Sequence, residues 1–160
     1  FKYWLDFKNL NQENQKSALD RLEYVSDKFN LKRQNIIVES MMPLLLTDFK
    51  EAGFFTSYYL PPEFLEEIRS KKTNDLTEKE IETIKGINRE FKQSSVDAVS
   101  TSNDNYYFVD KYLANVQNIL LWDTSLEHYK YPDFDKIKQI IGKDKRIKVL
   151  LVKYRSAYDR

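Results

Sequence analysis

Six short runs of β-branched and aromatic residues recur along this chain, each separated from the next by a window of helical periodicity. They lie at residues 2–8, NIIVES at 35–40, FFTSYYL at 54–60, VDAVSTS at 96–102, ILLWD at 119–123 and RIKVLLVKY at 146–154. No two are joined by a tight turn of the kind a hairpin needs. Parallel strands with helical crossovers follow, because a parallel connection has to travel back the length of the strand before the next one starts.

The windows between the runs carry helix punctuation. Residues 12–29 put Ala18, Leu22, Val25 and Phe29 on one stripe. Residues 43–52 open with Pro43, suited to a first helical turn, and stop at Gly53, a natural left-handed cap. Thr77 and Glu80 form a T-x-x-E capping box ahead of Ile81, Ile84, Ile87 and Phe91. Further helices are expected over 105–114 and over 133–141, the latter ended by Gly142. The order reads β-α-β-α-β-α-α-β-α-β-α-β, with a helical insertion at about 62–76. No linker composition divides the chain, and 160 residues with 41% hydrophobic content suffice for one domain with a real core.

Two architectures accommodate this α/β order: an open doubly wound sheet, or part of a (β/α)8 barrel. A doubly wound nucleotide-binding sheet carries a Gly-rich turn after its first strand. The chain has only 3 glycines, Gly53, Gly86 and Gly142, and none follows a strand. The dinucleotide fingerprint and the P-loop are thereby both excluded, which favours the barrel. The absence of cysteine removes disulfides, thiolate zinc sites and a cysteine nucleophile. A net charge of +1 gives no global field toward nucleic acid, and no nucleic-acid partner is expected. His128, the one histidine, sits in the polar stretch SLEHYKYPD without a partner pattern, so no Ser-His-Asp arrangement stands out.

Parallel α/β folds place their chemistry at the carboxyl ends of the strands. Here those ends carry Asp6 and Lys8; Glu39 and Ser40; Tyr58 and Tyr59; Ser100, Thr101 and Ser102; Trp122 and Asp123; and Lys153, Tyr154 and Arg155. Asp6 and Glu39 are oxygen donors of the kind a hard divalent cation, Mg²⁺ or Ca²⁺, takes. Lys8 and Lys153 could neutralise a phosphate oxyanion, and Trp122 and the tyrosines could floor a pocket. A plainer account stays open beside this one. Asp6 and Lys8 could be a solvated ion pair, the tyrosines core rings with a wetted hydroxyl, and Trp122 packing.

WLDFKNL at 4–10, IIVES at 36–40, GFFTSYYLP at 53–61, VDAVSTS at 96–102, LLWDTS at 120–125 and VLLVKYRSAYDR at 149–160 together resemble the phosphatidylinositol-phospholipase-C-like phosphodiesterases. Within that superfamily they are most similar to the glycerophosphodiesterase-like and menorin-type proteins. The resemblance implies that the six strands correspond to strands three to eight of a TIM (β/α)8 barrel, with the first two strands absent. It implies a divalent metal near Asp6 and, less directly, Glu39, with Lys8 as the catalytic cation facing phosphate. Ser40, Tyr58, Trp122 and Lys153 are then expected to bind a small phosphodiester or lipid head group. Two departures stand out: Asp6 replaces the family's Glu, and Trp122-Asp123-Thr124-Ser125 replaces its W-T-x-N. The family's two catalytic histidines belong to its first two strands, so the chain by itself is expected to be inactive. Its open sheet edges are expected to pair with another copy or with an upstream segment. The alternative is a non-catalytic barrel relative that binds a ligand or partner at the cell surface through the same rim.

Overall fold

The computed structural model describes residues 3–113, 115–123 and 134–152. Six strands run β1 (Tyr3–Asp6), β2 (Ile36–Ser40), β3 (Phe55–Tyr59), β4 (Ala98–Ser102), β5 (Ile119–Asp123) and β6 (Ile147–Val152). Between them lie α1 (Gln15–Lys28), α2 (Thr47–Glu51), α3 (Pro62–Ile68), α4 (Glu78–Ser94), α5 (Tyr106–Tyr112) and α6 (Phe134–Gly142). The element order is the one the sequence implies. The inserted segment folds as α3 followed by a 3-10 turn at Thr73–Asp75. The helix expected over 43–52 divides into a 3-10 turn, Pro43–Leu46, and the short α2; Gly53 then takes the left-handed conformation (φ 92°) that turns the chain into β3.

All adjacent strand pairs are parallel, and the spatial order is β1-β2-β3-β4-β5-β6. This order separates the two architectures. A doubly wound sheet reverses direction at a switch point, so that helices cover both faces. Here every crossover advances to the next strand on the same side. Since such crossovers are right-handed, the helices all fall on one face. The sheet curls so that its other face becomes an interior: a partial TIM-type fold.

The packing divides accordingly. The main core joins Ile36, Val38, Tyr58, Val99, Ile119, Leu121 and Ile147 on the outer strand face to helical residues such as Phe49, Leu65, Ile84, Phe108 and Ile140. A second, smaller cluster lies on the concave face, where Ile37, Ala98 and Leu120 pack with Trp4, Phe55 and Val149. It forms an apolar floor beneath the strand ends. The outer layer is pinned by polar contacts, among them a backbone and a hydroxyl hydrogen bond from Thr56 to Asp97 (2.9 and 3.1 Å) and a Lys50–Asp97 ion pair at 2.8 Å. The Thr77–Glu80 capping box forms in both directions and opens α4, and Lys71 pairs with Glu80.

Phe108 is fully buried between the rings of Phe64 and Tyr112. Phe108→Ala is expected to cost about 3–5 kcal/mol in urea unfolding. Thr77→Ala is expected to cost only about 1 kcal/mol, the worth of one helix cap.

Candidate functional site

A cleft of about 560 Å³ opens at the carboxyl ends of the strands, on the concave face above the apolar floor. Its walls are Trp4 and Asp6 from β1, Lys8 just after it, Glu39 from β2, Tyr59 from β3, Trp122 from β5 and Leu151 from β6. Strand register brings the polar groups together: Asp6 lies beside Glu39, and Glu39 beside Ser57. Because alternate residues of a strand share a face, the inward set follows from parity alone.

Lys8 Nζ lies 3.6 Å from an Asp6 carboxylate oxygen, with the lysine side chain 80% exposed. A pair this solvated contributes little stability, so the ammonium is free to turn toward an anion in the cleft. Glu39 is different. Its side chain is buried, and Oε2 has no hydrogen-bond partner among the described residues. Burial pushes its carboxyl up to about 7; the Asp6 charge adds to that rise, while Trp4 and Lys8 act against it. The Ser100 hydroxyl has one proton to give, and it lies 3.3 Å from the Tyr58 carbonyl, to which it donates. Ser57 Oγ, next to Glu39 in register, is also buried without a partner.

Tyr59 and Trp122 meet edge to face, with ring centroids 5.1 Å apart and planes at 79°. Burial raises the Tyr59 phenol, and the carboxylates of Glu39, Asp6, Glu63 and Glu66 raise it further. The aromatic wall therefore stands in an acidic neighbourhood.

Of the residues singled out from sequence, Asp6, Lys8, Glu39 and Trp122 line this one cleft. Ser40 and Tyr58 do not. Both share the outer strand face with Ile36, Val38 and Thr56, one residue out of phase with Glu39 and Tyr59. Ser40 Oγ accepts the Met42 N–H at 3.2 Å, and Tyr58 donates its hydroxyl to Glu90 of α4 at 2.7 Å. Burial, reinforced by Glu90, raises the Tyr58 phenol. Lys153 and His128 lie outside the described residues. Tyr59, one of the strand-end tyrosines marked by the sequence, lines the cleft as well; Trp4 and Ser57 enter the concave face with no sequence signal beyond their parity. Among the described residues no group of three or more His, Cys, Asp or Glu gathers; Asp6 and Glu39 form a pair.

No family model matches the chain, and no curated protein matches it. Among solved structures, it is similar to the crystal structure of a "putative glycerophosphodiester phosphodiesterase" from Galdieria sulphuraria, with a TM-score of 0.52 and 12% sequence identity. The match covers 96% of this chain and 54% of the other, so the chain spans about half the length of that structure. At such an identity the likeness shows the fold.

Tyr58→Phe is expected to lower stability by about 1 kcal/mol in urea unfolding. Glu39 also sets a pH dependence. Its folded pKa of about 7 exceeds the ordinary 4.5, so between these values the native state holds the extra proton and stability falls as pH rises. Glu39→Gln should remove a loss of up to about 3 kcal/mol between pH 5 and 8, read from urea unfolding at both pH values.

Proposed function

We propose that the cleft binds a phosphodiester and that the chain is part of a phosphodiesterase-type barrel of the phosphatidylinositol-phospholipase-C-like kind. The carrying observation is the convergence of Asp6, Lys8 and Glu39 at one strand-end cleft with an aromatic wall. The barrel-type fold and its neighbour's description support the reading. In this reading Lys8 meets a non-bridging phosphate oxygen, and Trp122 and Tyr59 flank the alcohol portion.

A hard divalent cation fits the donors present. Mg²⁺ keeps several waters and needs only one or two protein carboxylates, and Ca²⁺ likewise takes oxygen ligands. Asp6 and the unpartnered Oε2 of Glu39 would hold it. When bound, it supplies charge neutralisation at phosphate oxygens. Lys8 and the strand register then orient the diester.

Cleavage of a phosphodiester needs one group to take a proton from the nucleophile and another to give one to the leaving oxygen. In the cleft Glu39, pushed up to about 7 by burial, is a group suited to one of these transfers. The chain by itself is proposed to bind without turning over, which is also how a non-catalytic barrel relative would behave. The outer strands of the sheet, β1 and β6, carry exposed Tyr3 and Leu151 and are proposed to pair with a further strand.

Titration calorimetry with glycerophosphoglycerol tests the binding. Affinity is expected to require Mg²⁺ or Ca²⁺ and to fall roughly tenfold in Lys8→Ala. Binding indifferent to both chelator and Lys8→Ala would overturn the reading. Phosphorus NMR of the same mixture is expected to show no product, and turnover would overturn the inactive assignment alone.

A further inference from the structure

Behind the aromatic wall lies a second cavity of about 250 Å³, lined by the same Tyr59 and Trp122. The edge-to-face pair thus forms a partition between two compartments. The second is bounded by Glu66 from α3, and by Asp104 and Asn105 from the turn between β4 and α5. Arg69 and Ser102 complete the polar lining.

Three observations fix the character of this compartment. Asn105 is only 3% exposed, and its Oδ1 has no hydrogen-bond partner among the described residues, so it stands as a buried acceptor awaiting a donor. Glu66 has no ion-pair partner among the described residues, and Asp104 is held only at 3.5 Å by Arg69, whose own side chain is half exposed. The Tyr59 and Trp122 rings, in edge-to-face contact, line the same cavity and offer electron-rich faces. An acceptor amide, two carboxylates and two aromatic rings all favour a positive group that donates hydrogen bonds. Arg69 alone opposes it, and Arg69, Glu66 and Asp104 are all solvent-exposed.

We propose that this cavity is a subsite for a protonated primary amine, R–NH₃⁺. A primary ammonium offers three donors to Asn105 Oδ1 and the carboxylates; a quaternary ammonium offers none, and a neutral alcohol lacks the charge. The two compartments share a wall, so one zwitterionic ligand can place its anionic group beside Lys8 and its ammonium against the far face of the partition. Joined in this way to the phosphodiester reading, the subsite selects diesters of an amino alcohol; the ammonium site itself does not depend on that reading. An acidic cleft repels a diester that carries only negative charge, and the ligand's own ammonium offsets that repulsion.

Both tryptophans of the chain, Trp4 and Trp122, line the first cleft, and only Trp122 reaches the second. Their indole N–H signals in a ¹⁵N correlation spectrum, assigned with Trp4→Phe, therefore separate the compartments. Ethanolamine at pH 7 and constant ionic strength is expected to shift the Trp122 signal saturably, with Kd about 10 mM or tighter. Choline and ethylene glycol should bind roughly tenfold more weakly. Glu66→Gln and Asp104→Asn should each weaken ethanolamine binding several-fold, whereas Arg69→Ala should tighten it. Equal binding of ethylene glycol, the absence of a saturable Trp122 shift, or weaker binding in Arg69→Ala would each overturn the proposal. The probe contains no phosphorus. Its failure leaves phosphodiester binding standing, and loss of glycerophosphoglycerol binding leaves the ammonium subsite standing.

Discussion

The right-handedness of a β-α-β crossover governs this molecule. A strand that twists to the right feeds a helix that packs back on only one side, and here each helix returns the chain to the next strand along. With six strands in unbroken order, the helices accumulate on one face, and the sheet curls around the other. The concave face then has to be filled by the strands' own side chains. Ile37, Ala98, Leu120 and their aromatic neighbours fill its floor, while the polar residues collect where the strands end.

Ordinary side chains acquire unusual properties in that position. Asp6 and Glu39 are neighbours in register, yet they differ in solvation: Asp6 is partly exposed beside a solvated lysine, whereas Glu39 is sealed against Ser57 and Ser100. Burial without a matched donor pushes the Glu39 carboxyl up to about 7. Tyr59 and Trp122 owe their contact to the same curl, which brings residues of nonadjacent strands β3 and β5 within 5.1 Å across the concave face.

Much of this was legible beforehand, and the part that was not has an identifiable cause. Strands and helices follow from the switch between period two and period 3.6, and the Thr77 cap and Gly53 turn follow from local chemistry. The inward parity does not. In a half-exposed antiparallel strand, hydrophobicity marks the buried face; in a parallel sheet both faces are buried, and runs such as IIV and LLW read the same either way. Ser40 and Tyr58 were therefore as plausible as Glu39 and Tyr59. One residue of phase moved them from the cleft to the helix layer, where Met42 and Glu90 satisfy them.

The sequence by itself determined the element order, the parallel connections, the exclusion of glycine-rich phosphate loops and the strand-end position of Asp6, Lys8, Glu39 and Trp122. Each of these rests on local periodicity, spacing or residue chemistry. Only the tertiary structure decided that the sheet is singly wound, which residue of each adjacent pair faces inward, and that Tyr59 and Trp122 stand between two compartments. Those outcomes depend on strand order and curvature, which set distances between residues far apart in the chain and leave no mark on any local pattern.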